Sequence, residues 1–283
     1  MTSLPFDSRY VAARAVLLDA LEAMPIHRHS LILVGAQAIY LRVQDAGLDD
    51  VVPHTLDADL AIAPELLVRE PALGAALLAG GFASGEPGRW ATTRSVDGAD
   101  VSIMIDLMVP QVAASSSGRA ALVPGLGPRD ARSTSGLEAA LFDRSPMMIE
   151  ALDPADGRSF ELQVGGVAAL LIANLHKFGE RIDQSAKRQR PLAKDALDAH
   201  RLRRGERIET LVDSLRRLLA QDAATVAVVR HGLRILQREF AAPGARGAQL
   251  VGVAGGVSRE AAALPGLTAS LASSLLEALG PSS

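Results

Sequence analysis

An apolar strand that carries two aspartates is the feature that most constrains this chain. The segment Leu56–Ile62 reads LDADLAI. Side chains two residues apart on a strand point to the same face, so Asp57 and Asp59 point together while the leucines pack the other way. Two carboxylates at that distance repel each other unless a cation lies between them. Because hard oxygen ligands suit Mg²⁺, the pattern predicts a metal site on one face of a sheet.

A strand that ends in a glycine precedes this pair. The sequence SLILVG predicts a short buried strand that ends at Gly35, and a helix follows from about residue 36 to residue 45. Glycine lets a phosphate approach the backbone, and the N-terminus of a helix favours an anion. Acidic pairs alone are common at strand ends. The order of strand, glycine, helix and paired aspartates is what favours a phosphate-bearing ligand.

A later strand supplies a third carboxylate. In VSIMIDLMVP, residues 101–110, alternate apolar side chains form a core face and Asp106 interrupts the opposite face. A carboxylate on a neighbouring strand could join Asp57 and Asp59 in a two-metal cluster. Such a cluster holds the phosphates of a nucleotide and activates an attacking oxygen.

A mixed helical stretch later in the chain is the second informative region. Lys177 and Arg181 are four residues apart and share a helical face, and Asp195 and Asp198 lie three apart on the next helix. Asp195 could pair with Lys177 across this helix hairpin and fix a lysine that reaches the nucleotide phosphates. Spacing alone favours a plainer alternative, a solvated hairpin with ordinary surface ion pairs that stabilise little.

Further cations surround the hairpin and suggest a polyanionic partner such as RNA. A solvated charged face is the more common meaning of such a pattern, and no aromatic residues alternate with the cations to stack on bases. The cations are Lys187, Arg188, Arg190, Arg201, Arg203, Arg204 and Arg207.

The composition bounds the organisation of the chain. With 283 residues, 48% of them hydrophobic, the chain can form one large or two small domains. After Gly165 the pattern becomes helical. We therefore predict an α/β (α+β) fold with a mixed β-sheet and flanking helices over residues 1–164, and a helical bundle over 165–283.

The same composition excludes some settings. The absence of cysteine excludes disulfides and thiolate metal sites, and it fits a cytoplasmic protein. No apolar run reaches the roughly 18 residues of a membrane span, so no membrane partner is expected. The N-terminus, to about Met24, predicts an amphipathic helix and not a signal peptide.

Other local patterns predict further helices, strands and loops. A helix is predicted from Pro64 to the glycines at 80–81, and strands are predicted at 89–95, 99–109, 147–152 and 159–164. The stretch 111–135, rich in Ser, Gly, Pro and Ala, is predicted to be a mobile loop or insertion. The segment GLDDVVPHT, residues 47–55, is predicted to be an extended loop.

Taken together, these motifs resemble a family. The chain resembles the nucleotidyltransferases of the AbiEii toxin type, which include the MenT toxins. The segments that carry the resemblance are VGAQAIYLR, TLDADLAI, IMIDLMVP, HKFGERI and KDALDAHRL. The resemblance covers roughly Leu31 to Leu202. It implies a DNA-polymerase-β-like core and transfer of a nucleoside monophosphate from an NTP with Mg²⁺ or Mn²⁺. In MenT-like members the acceptor is the 3′ end of tRNA, and translation stops. A toxin role further implies a cognate antitoxin protein.

The resemblance also implies roles for individual residues. Asp57 and Asp59 match the metal pair, Asp106 fits a third carboxylate, Lys177 matches the essential lysine, and Asp195 matches the aspartate of the K-D motif. In the implied mechanism Asp106 helps to bind a second ion and deprotonates the acceptor hydroxyl. The implied nucleotide contacts are Gly35, Ala36, Thr55, Arg181 and Lys194. Ala36 departs from the family, which has Ser or Gly there.

Two alternatives stay open at this point. The same core could modify a small molecule such as an aminoglycoside, which would require an acidic acceptor cleft. A degenerate member could bind a nucleotide or a partner protein without catalysis, and Ala36 is the residue that most favours this alternative, since it removes a hydroxyl that could hold a phosphate.

Overall fold

The computed structural model describes residues 6–43, 55–114, 120–184, 192–256 and 261–280. Its fold is α+β, which confirms the predicted class. By packing, the chain divides into two compact units. The sheet unit comprises residues 1–38, 52–134 and 144–165, and the helical unit comprises residues 39–51, 135–143 and 166–283. The second unit therefore includes two short segments that precede the predicted boundary at residue 165.

The strands of the sheet unit form one mixed sheet. Their bounds are β1 Leu31–Val34, β2 Asp57–Ile62, β3 Ala83–Ser84, β4 Arg89–Val96, β5 Ala99–Pro110, β6 Arg132–Thr134, β7 Arg144–Glu150 and β8 Ser159–Gly165. The order across the sheet is β3-β4-β5-β2-β1-β8-β7, and β6 also pairs with β5. The pairs β1–β8, β2–β5 and β5–β6 are parallel, and the others are antiparallel.

The central strands are nearly continuous runs of buried apolar residues, as expected for strands covered on both faces. Helix α1, Ser8–Ala23, lies against the sheet and begins at Asp7, whose carboxylate accepts from the backbone N–H groups of Arg9 and Tyr10. Helix α2, Gly35–Arg42, follows β1 directly, and α3 spans Leu73–Ala79. Short 3₁₀ turns lie at Pro25–Ser30, Pro64–Leu66 and Gln111–Ala113.

The predicted helix from Pro64 is wrong over its first half. Only a 3₁₀ turn forms at Pro64–Leu66, and the helix begins at Leu73. Pro71 lacks an N–H and restricts the residue before it to extended conformations, so a helix cannot run through this point. The predicted loop at 111–135 contains a 3₁₀ turn and the whole of β6, while residues 115–119 lie outside the described part. The loop predicted at residues 47–55 also lies outside it, apart from Thr55.

The helical unit is built from α4 to α9. Their bounds are α4 Val167–Gln184, α5 Leu192–Arg204, α6 Ile208–Leu219, α7 Ala223–Phe240, α8 Arg246–Ala254 and α9 Leu264–Leu279, and a 3₁₀ turn spans Glu138–Leu141. Helix α4 packs against α5 and α7, and α8 packs against α5 and α9. Buried aliphatic side chains fill the centre, where the Phe178 and Phe240 rings lie 5.0 Å apart. Within the described residues, no helix has the length and apolar character needed to cross a membrane.

Candidate functional site

The paired aspartates lie on β2 of the sheet unit, as the alternation predicts. Asp57 is partly exposed and Asp59 is buried. Asp59 pairs with Val34 at the end of β1 on one side and with Asp106 of β5 on the other. The register therefore places the three predicted carboxylates on two adjacent strands, with Asp59 and Asp106 directly opposite each other.

Gly35 makes room for one of these carboxylates. Its φ is +66°, a left-handed conformation that glycine adopts without strain. A Cβ at this position would lie 2.0 Å from Asp59 Oδ2, so any larger residue would displace the carboxylate. The glycine was predicted to let a phosphate approach the backbone. The structure gives it a second reason, which is the close packing of Asp59. The next residue, Ala36, is buried in α2.

Neutral groups hold Asp57 in place. The Thr55 hydroxyl, predicted as a nucleotide contact, donates to Asp57 Oδ1. The Gln37 side-chain amide donates to the Asp57 carbonyl at 3.2 Å. Gln37 Oε1 in turn accepts from Arg14 Nε at 2.8 Å. Both the backbone and the carboxylate of Asp57 are therefore fixed by uncharged donors.

Arg14 anchors this hydrogen-bond chain from α1. Its guanidinium is buried and also donates to the Glu150 carbonyl and the Tyr10 hydroxyl. Desolvation by burial lowers the pKa of Arg14, and the interaction with Tyr10 offsets this only in part. A buried cation is costly unless its donors are satisfied, and Gln37, Tyr10 and the Glu150 carbonyl supply acceptors to Arg14.

Asp106 has a different environment from Asp57. Arg89 Nε lies 3.1 Å from Asp106 Oδ1, and Arg132 Nη2 lies 2.9 Å from Asp106 Oδ2. Asp106 itself is buried, whereas both arginine side chains reach solvent. Hydrogen bonding to Asp106 raises the pKa of Arg89, with a smaller contribution from the charge of Asp57. The two oxygens of Asp106 are therefore engaged by guanidinium groups.

The donor set of the sheet unit fits a metal ion in part. Asp57 and Asp59 share a face and offer hard oxygen ligands for Mg²⁺, and the space at Gly35 admits the Asp59 carboxylate. Asp106 does not fit as a third ligand, because two guanidiniums hold it. In agreement with this, no group of three or more His, Asp or Glu side chains is arranged to hold a metal ion within the described ranges.

The helical unit brings together the predicted Lys177, Arg181 and Asp195. Asp195 is 1% exposed on α5. Lys177 Nζ of α4 lies 3.7 Å from Asp195 Oδ1, and Arg181, one turn later on α4, donates to Asp195 Oδ2. The interpretation of this hairpin as ordinary surface pairs is therefore wrong for Asp195, whose carboxylate is buried between two cations.

One turn further along α5, Asp198 repeats this arrangement. It is buried, and it pairs with Lys194 Nζ at 3.3 Å and with Arg201 Nη1 at 3.4 Å. Both cations also lie over the Tyr40 ring, at 6.0 Å and 5.5 Å from its centroid. Two buried aspartates thus fix four cations on α4 and α5.

The predicted basic face is only partly present. Arg201 and Arg203 are buried, and Arg203 Nε donates to the Leu271 carbonyl at 3.0 Å. They hold the helices together and are not available to a polyanion. Arg207 is exposed and Arg204 is half-buried. The remaining members, Lys187, Arg188 and Arg190, lie outside the described residues.

The chain was compared with known proteins. No protein-family model, no curated protein and no solved structure gives a significant match. The resemblance to AbiEii-type enzymes therefore depends on the motifs alone, and the roles that it assigns stay predictions.

Four residues of this site were not predicted from the sequence. Arg89 and Arg132 reach Asp106 from 17 and 26 residues away, which no local pattern shows. Arg14 and Gln37 left a signal that could have been used, because each is a single polar residue within an apolar helical run, ARAVLL and GAQAIYL. A lone polar residue on a buried helix face needs a buried partner.

Proposed function

We propose that the protein is a nucleotidyltransferase that moves a nucleoside monophosphate from an NTP to an RNA acceptor, the 3′ end of tRNA, and thereby stops translation as the toxin of a toxin–antitoxin pair. The observation that carries the proposal is the Gly35–Asp57–Asp59 arrangement, in which a left-handed glycine admits one carboxylate and neutral donors hold the other. The resemblance supplies the class of reaction and the antitoxin partner.

In the proposed reaction, Asp57 and Asp59 hold the divalent cation that accompanies the triphosphate. Mg²⁺, when bound, neutralises phosphate charge and orients the nucleotide. The acceptor hydroxyl oxygen forms a bond to the α-phosphorus, the bond from that phosphorus to the β-phosphate oxygen breaks, and pyrophosphate leaves. The proton of the hydroxyl passes to water, because the oxygens of Asp106, predicted as the base, already accept from two guanidiniums.

The proposal gives Lys177 an electrostatic role. Its side chain is 40% exposed, and Asp195 and Arg181 fix the helix face from which it extends. A positioned ammonium stabilises the negative charge that develops on the transferred and leaving phosphates. Lys194 and Arg181 add positive charge on the same pair of helices, which favours the phosphate backbone of an RNA.

Labelled transfer tests the proposal directly. The protein is incubated with each α-labelled NTP, Mg²⁺ and total tRNA, and labelled RNA is separated on a denaturing gel. We expect label in tRNA with at least one NTP, none after chelation of the metal, and a loss of roughly 100-fold or more in Lys177→Ala. Arg217→Ala, which removes an exposed cation from α6, is the matched control and should keep full activity.

Other outcomes of this assay would redirect the proposal. Label that reaches an aminoglycoside and not RNA would favour the small-molecule alternative. A nucleotide that binds and is never transferred would favour a degenerate nucleotide-binding protein. Two observations support that second candidate, the alanine that follows Gly35 and the engagement of Asp106 by arginines.

A further inference from the structure

A row of charged residues crosses three neighbouring strands of the sheet. Asp59 of β2 is the register partner of Asp106 of β5, and Asp106 is the register partner of Arg89 of β4. Register partners on adjacent strands point to the same face, so the three side chains lie side by side. Arg132 joins the row at the start of β6, which pairs with β5 two residues beyond Asp106.

The row is arranged around the carboxylate of Asp106. Arg89 contacts both oxygens, through Nε at 3.1 Å and Nη2 at 3.4 Å, and Arg132 Nη2 contacts Oδ2 at 2.9 Å. Charge-assisted hydrogen bonds of this forked kind are stronger and more specific than neutral ones. A metal ion bound to Asp106 would compete with these donors for the carboxylate oxygens and would lie beside two like charges. The carboxylate of Asp106 therefore serves to bind the two arginines.

The arginines retain donors that Asp106 does not use. Arg132 Nε is buried and has no hydrogen-bond partner among the described residues. The side chain of Arg89 is 37% exposed and that of Arg132 is 29% exposed, so both side chains reach solvent although Arg132 Nε itself is buried. Planar guanidiniums with free donors bind phosphate oxygens in a fixed geometry. Together the two arginines have the chemistry of a polyphosphate clamp.

We propose that Arg89 and Arg132, oriented by Asp106, take the place of a second metal ion. The sheet unit then holds one divalent cation, on Asp57 and Asp59, and the arginine pair contacts the phosphate oxygens of the nucleotide. This inference depends on the proposed function, since it concerns the same phosphate-bearing substrate. It replaces the three-carboxylate cluster predicted from the sequence by two carboxylates and two guanidiniums, with Asp106 as a positioning residue.

The number of bound metal ions tests the proposal. Mn²⁺ is titrated into the full-length protein with a non-hydrolysable NTP analogue and into the analogue alone, and the difference in free Mn²⁺, measured by electron paramagnetic resonance, gives the number of protein-bound ions. We expect one tightly bound Mn²⁺ per chain in the wild type, none in Asp57→Asn, and one in Asp106→Asn. Two ions per chain in the wild type would overturn the inference and leave the proposed function standing, whereas zero would overturn both.

A double variant gives an independent readout. Replacement of both arginines, R89Q with R132Q, frees Asp106, so we expect binding of the analogue to weaken by roughly tenfold or more and binding of Mn²⁺ to tighten. Arg94→Gln on the same strand, which loses an exposed pair with Asp19 and exposed hydrogen bonds to Thr92 and Thr93, is the matched control and should change neither quantity. Unchanged affinity for the analogue in a folded double variant would contradict the clamp. Thermal melts establish whether each variant is folded.

Discussion

The aspartates of the two units are held in different ways. In the helical unit, Asp195 and Asp198 are buried and each lies between two cations. In the sheet unit, Asp57 is partly exposed, accepts from a hydroxyl, and forms no ion pair with any described residue. A buried aspartate between two cations positions those cations. A partly exposed aspartate held by neutral donors keeps its charge for a ligand. By this criterion Asp106 belongs with the helical pair, although it lies in the sheet unit.

The largest effect expected from this contrast is on activity at Asp57. Asp57→Asn keeps the shape and the Thr55 contact but removes the charge, so we expect transfer to fall by roughly 1000-fold or more, as on loss of a metal ligand or a transition-state electrostatic contact. Because Asp57 is partly exposed and forms no ion pair with a described residue, the melting temperature should change little. Asp100→Asn, at an exposed position on β5, is the control. A fall in melting temperature that parallels the loss of activity would show that Asp57, like Asp195, stabilises the fold.

The opposite result is expected at Asp195. Asp195→Asn removes a buried charge that two cations face, so we expect the free energy of unfolding to fall by about 1–3 kcal/mol. The partners Lys177 and Arg181 are partly exposed and can return to water, which keeps the loss below that for a fully buried pair. Urea denaturation measures it. Equal stability of Asp195→Asn and the wild type would show that the ion pairs of this aspartate do not stabilise the fold.

The hydrogen-bond link from Arg14 through Gln37 to Asp57 predicts an effect on both stability and metal affinity. Gln37→Leu leaves Arg14 Nε and the Asp57 carbonyl without this partner, at a cost of about 1–3 kcal/mol of stability. If Gln37 positions Asp57, the apparent affinity for Mg²⁺ in the transfer assay should also weaken. Gln37→Glu keeps an acceptor for Arg14 but loses the donor to Asp57, so it should retain more stability and show the same Mg²⁺ effect. A normal Mg²⁺ dependence in both variants would leave Gln37 a purely structural role.

The last effect concerns the dependence of stability on pH, which a histidine of the helical unit dominates. Burial lowers the pKa of His200 in α5 to about 4, with smaller contributions from the charges of Arg204 and Arg201. The unfolded chain therefore binds the proton more readily between about pH 6.5 and pH 4, and stability should fall as the pH drops through this window. From the shift we expect His200 to account for about 2 kcal/mol between pH 7 and pH 5.

His200→Phe removes this contribution and should flatten the pH dependence of the free energy of unfolding. It also removes the hydrogen bond to Thr268, so the comparison is made on the slope with pH and not on the absolute stability. His27 of the sheet unit, whose pKa burial also lowers, keeps part of the slope in the variant. An unchanged slope would show that His200 is not protonated on unfolding in this range.

The features that follow from the periodicity of side chains along strands and helices could be predicted from the sequence. The strand alternation placed Asp57 and Asp59 on one face of their strand and Asp106 opposite the core face of its own, and the helical spacing placed Lys177 and Arg181 together. The partners of Asp106 were not predictable, because they follow from the antiparallel register of β4 and the parallel register of β6. Likewise, spacing on α5 predicts that Asp195 and Asp198 share a face but does not say that this face is buried.

The errors have equally local causes. A helix was predicted across Pro71 because Pro64 suits a helix start and the second proline was given too little weight. Arg201 and Arg203 were assigned to a solvated basic face because charge alone predicts exposure. Their long side chains instead reach buried acceptors on α5 and α9. The hydrogen bond from Arg203 to the Leu271 carbonyl depends on the packing of two helices that are distant in sequence, which composition and spacing do not encode.

The most direct test of the central claim is calorimetric binding of a non-hydrolysable NTP analogue to the wild type and to Asp57→Asn, each with and without Mg²⁺. The account predicts that the wild type binds the analogue only with the metal and that Asp57→Asn binds weakly under both conditions. Equal binding by the folded wild type and variant, or binding by the wild type that does not depend on Mg²⁺, would contradict a nucleotide site built on Asp57 and Asp59.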